Sequence, residues 1–140
     1  MAIDLAVTDD DILACHPVMA QLRPHVAEGD FVARVRRQER TGYRLAALRD
    51  GGRVVAVAGF RFGENLFAGP YLYVDDLVTD GAARSAGHGG VLFDWLVAQA
   101  RAHGCAALTL DSGVQRFAAH RFYLTRRMEI RSHHFALPLD

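Results

Sequence analysis

The sequence predicts a single α/β domain built on a mixed sheet. Three observations carry this. Strand-like and helix-like segments follow one another with no linker, repeat or low-complexity stretch between them. Two strand-like runs, 43–48 and 53–62, flank the turn residues RDGG, the mark of an antiparallel hairpin. A strand, a glycine-rich loop, a helix and a second strand succeed one another across 71–111. That unit implies a parallel pair joined by a right-handed crossover.

Each element has a local reason. IDLAVT (3–8) alternates enough for a short first strand. DDDILACHPVMAQLRP begins with acidic residues suited to a helix N-terminus, and Ile12, Leu13, Val18, Met19 and Leu22 give it one apolar face, with Pro24 at its limit. DFVARVRRQERTG (30–42) reads as a second helix, with Asp30 as N-cap and Gly42 as stop. The hairpin follows, with Asp50-Gly51 at its tip. YLYVDDLVT (71–79) is rich in β-branched and aromatic residues and reads as a strand. A helix over 90–103 closes at Gly104. CAALTL (105–110) reads as a strand buried on both faces, QRFAAHRFYLT (115–125) as a helix, and MEIRSHHFALPL (128–139) as a last strand.

Composition narrows the function. The chain has 140 residues, 51% of them apolar, which suits one ordinary domain over 1–140 with a real core. Net charge is zero, which argues against a nucleic-acid partner. No apolar run approaches membrane-spanning length. Asp4, Asp9 and Asp10 follow Met1 too closely for a secretory leader, so a reducing cytoplasm is the expected location. Cys15 and Cys105 form no CxxC and sit in apolar surroundings, so buried thiols are expected. His133 and His134 are neighbours on a strand, so they point to opposite faces and no metal site is expected.

The loop ARSAGHGG (83–90) holds the strongest chemical signal. Glycines between a strand and a helix let several backbone N–H groups converge at the positive end of the helix dipole, where a phosphate is favoured. Arg84 adds a charge beside them. No Gly-Lys-Ser/Thr follows, and Leu92 stands where a GxGxxG would need glycine. What fits is R-x-x-G-x-G, Arg84 to Gly89.

DLVTDGAARSAGHGGVLFDWL resembles the signature segment of the GNAT superfamily of acetyl-CoA-dependent N-acetyltransferases. LDSGVQRFAAHRFYLTRRMEI is similar to that family's final helix, with its AHxFY core. The resemblance covers essentially the whole chain. Its C-terminal part looks closest to the small-amine branch that includes aminoalkylphosphonate N-acetyltransferases. It implies a single-domain, mostly antiparallel mixed sheet with splayed middle strands, flanked by about four helices. It also implies acetyl transfer from acetyl-CoA to a primary amine, of a small molecule, by direct attack in a ternary complex. A homodimer is a further implication. The alternatives are a non-catalytic acyl-CoA-binding sensor and an acetyltransferase of protein N-termini or lysines.

The resemblance also distributes roles. Backbone groups of Leu77, Val78 and Thr79 would bind pantetheine and the acetyl carbonyl. Arg84, Ser85, Ala86, Gly87, His88, Gly89 and Gly90 would wrap the pyrophosphate. Asp76 stands where the family often has a glutamate base; being shorter, it would work through water, with Glu64 as a rival and a purely structural carboxylate as the plain reading. By alternation Asp75 should point the other way. Tyr123 fits the family's general acid, and a phenol with pKa near 10 can donate to a thiolate at neutral pH. His120, one turn earlier, would touch coenzyme or acceptor, or else only pack. The acceptor would be met by the 24–42 segment, the 62–70 loop and a C-terminal hairpin, regions that carry Glu28, Asp30, Arg34, Glu64 and Asn65. Two departures stand out. Arg127-Met128 replaces the family's glycine-aromatic pair, and an arginine at 127 is strained if that position takes a positive φ. Gly90 replaces a residue with a side chain.

Overall fold

A computed structural model describes every residue except Ser85. Its five strands are β1 (Ala2–Leu5), β2 (Arg44–Asp50), β3 (Arg53–Asn65), β4 (Gly69–Thr79) and β5 (Ala107–Leu110), and they lie in that order across one sheet. β1 to β4 pair antiparallel in sequence. The Ala106 amide donates to the Pro70 carbonyl at 2.8 Å, so β5 starts beside the first residues of β4. To stay alongside β4 from there it must run in the same direction, which makes the sheet mixed. The β2–β3 turn is centred one residue later than expected. Asp50 pairs with Arg53, and Gly51 and Gly52 take φ of 59° and 80°, values that favour glycine at both central positions.

The described residues form five α-helices: α1 (Asp9–Ala14), α2 (His16–Leu22), α3 (Glu28–Glu39), α4 (His88–Ala102) and α5 (Phe117–Thr125). The first expected helix is two, interrupted at Cys15. Pro17 sits in the first turn of α2, where its missing N–H costs nothing, but it cannot continue the ladder of α1. Thr8 caps α1, its hydroxyl accepting from the Asp11 amide at 3.1 Å. α3 begins earlier than expected, with Ala27 at its N-cap and Asp30 inside the first turn. There a carboxylate still suits the dipole. α4 begins at His88 because Gly87 supplies a left-handed N-cap, φ 80°.

The chain divides into two compact units, Met1–Thr109 and Leu110–Asp140. In the first, α1, α2 and α3 cover one sheet face. Ile12, Val18, Met19, Phe31 and Val35 pack there with Tyr43, Leu45, Ala47 and Val57. α4 packs against β3 and β4, where Trp95 meets the buried Phe60 edge to face at 5.7 Å. β5 is half-buried rather than buried on both faces, because it is the last strand of the described sheet. In the second unit, 128–139 is not a strand. It carries no regular structure and is exposed from Glu129 onward. Alternating residues need a neighbouring strand to bond to, and none is paired with them among the described residues.

α5 ends in a Schellman motif. The Met128 amide donates to the Tyr123 carbonyl at 3.1 Å and the Arg127 amide to the Leu124 carbonyl at 3.0 Å. Arg127 therefore takes φ 66°, as the strained possibility anticipated. A side chain in this region costs about 1 kcal/mol or more. Arg127→Gly is expected to raise stability by about 1 kcal/mol, less the extra freedom glycine has in the unfolded chain. A urea melt checks it, and an unchanged or lower midpoint contradicts it.

Candidate active site

The site is organised by an irregularity in the central hairpin. Gly59 pairs with Asp76 and Phe60 with Val74, so Asp75 is an extra residue in β4. A bulge cancels the alternation of side chains. Asp75 and Asp76 therefore line one cleft, contrary to the expectation that Asp75 points away.

Both carboxylates are held. Asp76 accepts from Arg23 Nε at 2.9 Å on one oxygen and from the Tyr43 hydroxyl at 2.8 Å on the other. A second nitrogen of Arg23 donates to the Asp75 carbonyl at 2.9 Å. Asp75 takes a two-pronged contact from Arg61, at 3.0 and 2.9 Å, and the Arg61 guanidinium lies 5.5 Å from the centre of the Tyr43 ring. Burial, and then the charge of Asp76, push the Tyr43 phenol well above its ordinary range, so it remains a donor. Gly59 is required beneath them. A Cβ there would collide with the Tyr43 hydroxyl and the Asp76 carboxylate. The cleft holds about 210 Å³. Met19, Phe31 and Val35 form apolar wall, while His25, Arg34 and Gln38 offer polar groups.

The end of β4 leads from this cleft to the glycine loop. Leu77, Val78 and Thr79 pair with Ala58, Val57 and Ala56 on the β3 side. On the other side the four-residue β5 starts beside Pro70, so it runs along the first half of β4 and these three lie past its end. Asp80 then pins the turn. It accepts from the Gln21 side chain at 2.9 Å, Arg53 at 2.9 Å and the Ala82 amide at 3.2 Å, and the Gln21 side-chain oxygen accepts from the Gly81 amide at 2.8 Å.

In the loop itself Arg84, Ala86 and Gly87 are exposed, and Ser85 lies outside the described residues. The His88, Gly89 and Gly90 amides open α4, where no preceding turn among the described residues offers them a carbonyl. The His88 ring is buried, its Nε2 3.9 Å from an Asp50 oxygen and its Nδ1 without a hydrogen-bond partner among the described residues. His88 thus presents backbone rather than side chain to anything held by the loop.

In the second unit Tyr123 is half-buried on α5, its ring edge to face with Phe122 at 5.6 Å. The His120 ring bonds the Gly113 carbonyl at 2.8 Å. His133 and His134 are exposed, and no group of three metal-ligating side chains occurs among the described residues. Glu64 is exposed, opposite Pro70. Five residues of strand, about 16 Å, separate it from Gly59.

Sequence reasoning missed Arg23, Tyr43, Arg61 and Asp80, the groups that hold this site. Two signals pointed toward them: a glycine inside a strand otherwise fit for a core, and adjacent aspartates inside another.

The GNAT acetyltransferase family model matches residues 9–128. The chain belongs to the GNAT family. It is 32% identical over 126 residues to the uncharacterized N-acetyltransferase YhdJ of Bacillus subtilis (strain 168), covering 89% of each chain. Among solved structures it resembles the ribosomal-protein-alanine N-acetyltransferase of Brucella melitensis biovar Abortus 2308, with TM-score 0.84, 15% identity and coverage of 99% and 100%. It also resembles the glucosamine-6-phosphate N-acetyltransferase of Arabidopsis thaliana, with TM-score 0.76, 17% identity and full coverage of both chains. At those identities the likeness is one of fold. This GNAT protein is an acetyltransferase, and its family normally uses acetyl-CoA. Among the described residues no helix is long and apolar enough to cross a membrane.

Proposed function

We propose that the protein transfers the acetyl group of acetyl-CoA to the primary amine of a small molecule, by direct attack in a ternary complex. The observation that carries this is the bulge at Asp75, which places a carboxylate-lined cleft one short strand segment from the glycine loop. At about 210 Å³ the cleft falls below the roughly 300–1,000 Å³ of pockets for drug-sized ligands, which favours a small acceptor.

The residues divide the work. The left-handed Gly87 and the amides of His88, Gly89 and Gly90, unmatched among the described residues, suit a pyrophosphate, with Arg84, Ser85 and Ala86 completing the loop. Leu77, Val78 and Thr79 offer backbone groups on the side that β5 does not reach. Asp76 keeps a lone pair on each oxygen beyond those taken by Arg23 and Tyr43, enough to hold a water that relays the proton of the attacking ammonium. As nitrogen bonds to the acetyl carbon and the carbon–sulfur bond breaks, Tyr123 gives its proton to the departing sulfur. His120 would meet the coenzyme with the ring nitrogen that Gly113 leaves free.

The loop assignment has a direct test. Gly87 adopts φ +80°, and among the described residues nothing beyond its chain neighbours lies within 4 Å of where a Cβ would stand, so Gly87→Val strains chiefly the loop backbone. Such strain costs about 1–3 kcal/mol, and acetyl-CoA should bind at least tenfold more weakly to the variant in calorimetry. Equal affinity in the two proteins overturns the assignment.

A further inference from the structure

We propose that the acceptor is an amine that also carries an anionic group, and that Arg34 selects it. This rests on reading the Asp75–Asp76 cleft as the acceptor site. The argument is one of charge balance within the cleft. Asp76 is matched by Arg23 and Asp75 by Arg61, each at 2.9 Å, so the two carboxylates are already neutralised by partners built into the fold. Arg34 lines the same cleft and has no hydrogen bond or ion pair among the described residues. It is the excess charge of the site.

Its neighbour on α3 shows the contrast. Arg36 donates to Asp9, to Glu39 and to the Val7 carbonyl, and so ties α3 to the start of α1. Arg34 ties nothing. It stands one helical turn from Gln38, on the side of α3 that also brings Phe31 and Val35 to the cleft. His25, from the segment between α2 and α3, adds another polar group, and the side chains of His25 and Gln38 are likewise unpartnered among the described residues. Arg34 is half-buried, so its field in the cleft is less screened than that of a surface arginine. A guanidinium with all five donors free matches a carboxylate or a phosphate. A second cationic or neutral group on the acceptor would leave that charge unmatched. The acceptor's ammonium would lie toward Asp76 and its acid toward α3.

The test uses matched acceptor pairs: short ω-amino carboxylates against their amides, and 2-aminoethyl phosphate against 2-aminoethanol. The two pairs separate a carboxylate from a phosphate as the preferred acid. Wild type should favour the acidic member of at least one pair by tenfold or more in KM. Arg34→Gln should raise KM for that acid roughly 10–100-fold, the worth of a hydrogen bond to a charged group, and leave the neutral member and the KM for acetyl-CoA unmoved. Arg34→Lys should restore part of the preference. Calorimetry with the same amines, without acetyl-CoA, reads binding independently of turnover. Arg34-dependent binding of an acid without transfer to any amine would sustain this inference and sink the proposed function. Transfer with no acid preference, or a preference that survives Arg34→Gln, would overturn this inference and leave the proposed function standing.

Discussion

Tyr123→Phe is expected to lower turnover about a hundredfold or more, the usual worth of a general acid, while acetyl-CoA affinity stays nearly unchanged. The variant keeps the ring that meets Phe122 edge to face, so α5 should retain its packing. Only the hydroxyl is lost. Burial raises the pKa of this phenol above its ordinary value of 10, and the nearby Arg116 guanidinium works the other way without cancelling it. The proton is therefore in place at neutral pH, and the acid form is lost only above pH 10. The sign follows. Wild-type turnover should fall along a limb above pH 10, and that limb should vanish in the variant. The comparison needs an acceptor for which chemistry limits the rate, since slow product release would mask the loss. Full activity under that condition would make Tyr123 a packing residue and leave the sulfur to depart unaided.

Asp76→Asn should lower turnover by about the same factor, with the KM for acetyl-CoA unmoved. Asparagine has nearly the shape of aspartate. Its carbonyl can accept from Arg23 while its amide meets the Tyr43 oxygen, so the bulge should survive. What it cannot do is take a proton from the acceptor's ammonium through water. Wild-type activity should rise with pH as that ammonium is deprotonated. In the variant the rise should move to higher pH, where the free amine forms unaided. A pH–rate profile identical to wild type would make Asp76 a structural carboxylate and move the base to bulk water or to Glu64. Glu64 lies at the far end of β3, which makes it the poorer candidate.

These two experiments probe parts of the site that differ in how they could be found. The glycine loop and the AHRFY helix are contiguous in the chain, and a contiguous motif can be recognised from its letters. The network around Asp76 is not contiguous. Its partners Tyr43 and Arg23 lie 33 and 53 residues away in the chain, and Arg61 lies 14 residues from Asp75. Nothing in the run YVDD says which arginines will reach it.

By itself the sequence determined whatever depends on local physics. Period-two and helical patterns placed the hairpin, β4, α3, α4 and α5 within a few residues, because side-chain alternation and turn chemistry act over one or two turns of chain. Gly42 and Gly104 do close their helices with positive φ, and Arg127 does take the left-handed conformation suspected of it. Only the tertiary structure decided the rest. The bulge at Asp75 exists because β3 and β4 must pair across both Gly59 and Phe60, and pairing register is a relation between strands rather than a property of either. The run 128–139 alternates like a strand yet is none, since a strand is made by its neighbour. Arg34 and Arg36 read alike on one helix; Arg36 is matched by Asp9 and Glu39 and Arg34 by none of the described residues, because charge balance is settled by what the fold brings within reach.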